Sequence, residues 1–167
     1  TTGVSLLGLG YLSLCLRGLI PDSISILVAN AAFPLGMVLH LAGMRLFLGL
    51  SPISRRWYAL PGGVLAAAAV FHYGYDLEAW RSLILSVAIS VPHFVMAFLI
   101  LRHPVRPSSM FYGVIGSLLA LAGVMILGRG IWSLSEPQFH VFLHSPVQFI
   151  FFVSVIVLQL GETLAFM

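Results

Sequence analysis

Of the chain's 167 residues, 60% are hydrophobic and only 8% charged, and the mean hydropathy is +1.07. A water-soluble domain carries about 25% charge, so a soluble globule is excluded and a lipid-facing surface is expected. The net charge of +3 does not point to nucleic acid: all eight basic residues are Arg, and they are scattered at the ends of apolar runs rather than gathered in a patch.

Six apolar runs follow one another, each approaching or meeting the length of about 20 residues that a membrane-spanning helix needs. The first, Thr2–Leu16, ends at Arg17 and contains the single cysteine, Cys15, read as a packing residue. It is short, and the chain opens at Thr1 without a Met, so the first span is expected to be truncated or preceded by a further helix. The second, Ser23–Leu48, follows the turn "RGLIPD" and carries Asn30 and Pro34 in its interior. Pro34 removes the hydrogen bond from the Asn30 carbonyl, which predicts a polar spot suited to an interhelical bond or to the floor of a ligand site.

Trp57–Tyr75 and Ala79–Leu101 form the third and fourth runs, separated by "GYDLE", and hold Pro61 and Pro92 at positions expected to kink a helix. The fifth, Met110–Leu134, contains "GSLLALAG"; with "PGGVLAAAA" on the third, it predicts close approach of helix backbones. The sixth, His140–Phe166, begins with Pro146 in its first part and carries Gln148, Gln159 and Glu162. Beta-barrel strands would be about 10 residues long with strict alternation, which these runs lack. The fold class expected is all-α: a polytopic integral membrane bundle of about six helices, forming a single domain over residues 1–167.

Arginine placement orients the bundle. Arg45, Arg55, Arg56, Arg102 and Arg106 flank the second and fourth breaks, which predicts those breaks to be cytoplasmic. Arg17, Arg81 and Arg129 flank the other three, among Asp22, Asp76, Glu78 and Glu136. The chain is then expected to end in the cytoplasm.

Arg17, Arg81 and Arg129 each fall near the outer end of a different helix. One reading is snorkelling, with local pairing to the nearby carboxylates. The other brings the three guanidiniums to one crevice, with Asp22 beside it and Asn30 below, where forked donors would hold a small anionic ligand. Histidines supply an alternative. His40 and His93 fall at comparable depths on two helices and could ligate a haem; His72, His140 and His144 near the outer edge could hold a metal. No catalytic arrangement is present.

The stretch "LRGLIPDSISILVANAAFPLGMVLHLAGMRLFLG" runs from an Arg through Pro-Asp and Asn to Gly43, Arg45, Phe47 and Gly49. It resembles the membrane-sensor module that precedes GGDEF domains in bacterial diguanylate cyclases. "YGYDLEAWRSLILS", with Arg81, is similar to that family's outer break; "LGRGIWSL", with Arg129, to a later helix end; and "SPVQFIFFVSVIVLQLGETLAFM" to its last helix. The resemblance implies a signal-input domain in the bacterial inner membrane, controlling a cytoplasmic cyclase that makes cyclic di-GMP and works as a homodimer. His72, His93, His140 and His144 are departures from the pattern.

Overall fold

The structure, a computed structural model, describes residues 2–75, 77–102, 109–136 and 146–165. Within them six α-helices follow one another: α1 (Thr2–Cys15), α2 (Asp22–Phe47), α3 (Ala59–Ala69), α4 (Glu78–Arg102), α5 (Ser109–Ser135) and α6 (Pro146–Ala165). A 3-10 turn, Arg55–Tyr58, leads into α3, and a π-turn, Val70–Gly74, ends it. Among the described residues, three helices are long and apolar enough to cross a membrane, over Asp22–Phe47, Glu78–Arg102 and Met110–Ser135. α1 and Phe149–Leu158 of α6 are shorter apolar helices.

Charge placement favours the two central helices. Asp22 and Glu78 lie in the first turns of α2 and α4, and Arg45 and Arg102 in their last turns, each sign opposing the helix dipole at its own end. α2 ends in a Schellman motif. The Gly49 N–H donates to the Leu46 carbonyl at 3.0 Å and the Leu50 N–H to that of Arg45 at 2.8 Å, while Gly49 takes φ 69°. The Arg45 guanidinium then forks onto the backbone carbonyl and hydroxyl of Ser51, at 2.8 and 3.0 Å. The Gly43-Arg45-Phe47-Gly49 string is thus partly helix-ending chemistry.

The prolines divide into two kinds. Pro34 and Pro92 lie inside α2 and α4, as expected. Pro61 instead lies near the start of α3, directly after the 3-10 turn, and Pro146 is the first described residue of α6.

α2 and α4 cross at the centre of the protein. Met37 and Leu41 from α2, Met96 and Ile100 from α4, and Leu119 from α5 are fully buried there. Among the described residues, α1 packs on α2, α5 on α4, α3 against both α2 and α4, and α6 on α5 alone. Two seams are tight. At the α1–α2 crossing, a Cβ on Gly3 would stand 2.8 Å from the Gly36 carbonyl oxygen. Along α5, Gly116, Gly123 and Gly130 recur every seven residues and face Leu101, Phe94 and Ser86 of α4. A seven-residue repeat keeps one stripe of a helix against its neighbour. Gly62 and Gly63 of α3 have nothing within 4 Å of an added Cβ, so the small residues of "PGGVLAAAA" make no such seam at those two positions. Cys15 is exposed, against the expectation that it packs.

Candidate functional site

The site is built from helix ends. Between α1 and α2 the chain reverses in a tight turn: Gly18 takes φ 88°, and the N–H groups of Leu19 and Ile20 both donate to the Leu16 carbonyl. Below it, the Ser25 hydroxyl of α2 donates to the Ser13 carbonyl of α1 at 2.8 Å, and the Ser13 hydroxyl to that of Gly10 at 2.8 Å. These bonds fix the turn that presents Arg17. Arg17 lies 3.7 Å from the Asp22 carboxylate and 3.9 Å from that of Glu78.

The second arginine is set by the π-turn, a geometry that recurs at functional positions. It places His72 so that a guanidinium N–H of Arg81 donates to Nδ1 at 2.7 Å; the guanidinium can only donate, so Nδ1 accepts. Arg81 is 8% exposed, too buried for a side chain reaching out to an interface. The third, Arg129 of α5, donates to the Ser82 hydroxyl at 3.1 Å and stacks over the Phe151 ring of α6, 5.2 Å from its centre. The Ser133 hydroxyl, 3.1 Å from the Ala79 carbonyl and 2.7 Å from that of Gly130, pins α5 to the start of α4 beside them.

Arg17, Arg81 and Arg129 line one cavity, with Asn30 and Glu78. It encloses about 970 Å³ of empty space, its open mouth included. Ser82 and Ser86 add hydroxyls on the α4 side; Phe33, Met37, Leu85, Ile89 and Ile126 make much of the remaining wall. Among the described residues, three guanidiniums and one carboxylate line it, so its charge is positive in surplus. Asp22 does not line it; its carboxylate is 62% exposed and touches the site through Arg17. Asn30 is buried and donates its amide to the Ile26 carbonyl of its own helix at 2.8 Å. The amide therefore makes a bond one turn back, not the interhelical bond that was one of its two expected uses.

Of the described histidines, one lines the cavity. His93 lies deep in the cavity wall, 2% exposed, and its Nδ1–H donates to the Ile89 carbonyl at 2.8 Å, which leaves Nε2 as the acceptor of the neutral ring. His40 is not among the residues that line the cavity, and His72 is engaged with Arg81. His140 and His144 lie outside the described residues, as does Asp76. Among the described residues no three of His, Cys, Asp and Glu come together in a way that could hold a metal ion.

Several lining residues were not singled out from the sequence. Ser82 and Ser86 carry a signal that could have found them: Glu78, Ser82, Leu85, Ile89 and His93 are spaced by three or four and share one face of α4 with Ser86. Phe151 and Val155 carry one as well: they alternate at spacings of three and four with Gln148, Gln159 and Glu162, the polar residues of an otherwise apolar stretch of α6. No family model matches the chain, and neither does any curated protein or solved structure.

Proposed function

We propose that this chain is a membrane-embedded sensory domain that binds an anionic ligand among Arg17, Arg81 and Arg129 and passes the event to a cytoplasmic output through α6. The observation that carries this reading is the cavity itself: three arginines from separate parts of the chain meet in a wall that also includes Phe151 and Val155 of α6. Guanidiniums offer forked donors suited to carboxylate or phosphate, and each is stronger in a partly water-excluded site.

α6 is suited to the transmitting role because its backbone approaches only α5 among the described elements. A helix held on one side moves at small cost, and a ligand shifts such an equilibrium only by preferring one position. The exposed apolar surface supports a bilayer setting; Leu19, Met110, Phe111 and Phe149 are each at least 70% exposed. On this reading the Arg55–Arg56 turn is cytoplasmic and the cavity mouth external, in keeping with the arginine distribution, and the membrane is the bacterial inner membrane that the resemblance implies. By its resemblance to sensor modules of GGDEF proteins, the output is a diguanylate cyclase acting as a dimer.

The test is cyclic di-GMP production by the full-length protein in membranes at matched expression. Arg17→Ala and Arg81→Ala are expected to change output severalfold with insertion intact. Unchanged output in both variants would leave the arginines as anchors and end this reading.

A further inference from the structure

The cavity is longer than a small anion requires. Its lining on α4 runs from Glu78 to His93, a separation that at 1.5 Å per residue covers about 22 Å of helix. Charge is confined to one end of that length: Arg17, Glu78, Arg81 and Arg129 belong to helix termini or the turns beside them, while Phe33, Met37 and Ile89 lie further along the helices, with Asn30 and His93 the polar side chains among them. An inorganic ion or a short carboxylate would contact the charged end alone and none of the mainly apolar lining beyond it.

The way in has the same character. Among the described elements the backbone of α1 approaches only α2 and that of α6 only α5, yet Leu7, Tyr11 and Leu14 of α1 line the cavity together with Phe151 and Val155 of α6. Among the described residues, the two helices that border the cavity on this side have no backbone contact with each other. The slot therefore has a side between two apolar helices, which in a membrane faces hydrocarbon rather than water.

From these two observations we infer that the ligand is an amphiphilic anion, an acidic head group on a hydrocarbon tail, which enters sideways between α1 and α6. Its head sits among the arginines and its tail along Leu85, Ile89 and Ile126. This rests on the reading of the cavity as an anion site and names the chemical class that site takes. The head gains charge-assisted bonds, and the tail replaces bilayer with protein wall, so the head supplies most of the affinity and the slot length supplies selectivity. A free long-chain carboxylate and an anionic phospholipid share this chemistry.

The experiment uses the chain in nanodiscs of zwitterionic phosphatidylcholine, with a fluorescent long-chain polyene carboxylate as the probe. Unlabelled long-chain carboxylate should displace it, while the alcohol of equal chain length and a short-chain carboxylate should each compete at least tenfold less well. Arg81→Gln should weaken probe binding about tenfold, the order of one charge-assisted bond. Glu78→Gln, which removes the one negative charge in the lining, should tighten it severalfold; this variant keeps the test decisive where loss of Arg81 disturbs folding. Leu85→Trp, which narrows the apolar part of the cavity, should abolish probe binding. If anionic phosphatidylglycerol in the nanodisc competes as well as the free acid, the inference holds and the source is the bilayer.

Competition by the short carboxylate equal to that of the long one would overturn the amphiphile and leave a small-anion site. Competition by the alcohol equal to that of the acid, with no effect of Arg81→Gln or Glu78→Gln, would overturn the anion site as well.

Discussion

The Arg129 guanidinium lies 5.2 Å above the centre of the Phe151 ring, and it is a direct tie between the charged end of the cavity and α6. Because α6 packs on α5 alone among the described elements, this stack contributes to how firmly the helix is held. A cation over an aromatic face contributes about 0.5–1 kcal/mol when exposed and about 2 kcal/mol when desolvated. A double-mutant cycle of Arg129→Gln and Phe151→Leu, read by thermal unfolding in detergent, should show a coupling of about 0.5–1 kcal/mol. Additive effects would mean that the ring and the guanidinium do not hold α6 together.

The α4–α5 seam makes a sterically sharp prediction. An added Cβ on Gly130 would come within 2.6 Å of the Ser86 Cβ, and one on Gly123 within 2.9 Å of the Phe94 ring. Gly128, on the same helix, has nothing within 4 Å. Gly130→Ala and Gly123→Ala should therefore each cost about 1–3 kcal/mol through overpacking, whereas Gly128→Ala should fall within about 0.5 kcal/mol of wild type. Melting of the three variants under one detergent condition checks this, and equal melting temperatures would mean that the seam is loose.

Gly49 tests the helix stop. Its φ of 69° is left-handed, and a side chain there costs about 1–2 kcal/mol. Gly43, inside α2 with open space around it, lacks that constraint. Gly49→Ala should lower the midpoint of unfolding and Gly43→Ala should not; a reversed order would refute the Schellman reading of this end.

Topology is the fourth prediction. In a Cys15→Ser background, single cysteines at Ser51 or Ser54 should resist an impermeant thiol reagent in intact cells, and one at Leu19, 82% exposed in the first turn, should react. Labelling at Ser54 from outside would invert the assigned orientation.

Helical class and the placement of the breaks were legible in the sequence because a chain in hydrocarbon must satisfy its backbone within each segment, so length and apolarity alone mark the helices. The third run, Trp57–Tyr75, corresponds within two residues at each end to the continuous helical path from Arg55 to Gly74, although its ends are a 3-10 turn and a π-turn. The start of the sixth run, from His140, falls outside the described residues, and α6 begins at Pro146. The position of Arg17, Arg81 and Arg129 at helix ends was equally plain, since charge in such a chain stands out against everything around it.

Which side chains share a cavity was decided only by the tertiary structure. The helices are apolar nearly all round, so periodicity does not show which face turns to a neighbour and which to lipid. Arg17 meets Glu78 because α2 packs on α4, and Arg129 meets Phe151 because α6 packs on α5. The neighbouring α1–α2 and α4–α5 crossings depend on glycines meeting specific partners, Gly3 against Gly36 and Gly130 against Ser86. Composition marks a glycine as able to admit a close neighbour, but only the packing of whole helices determines which neighbour arrives.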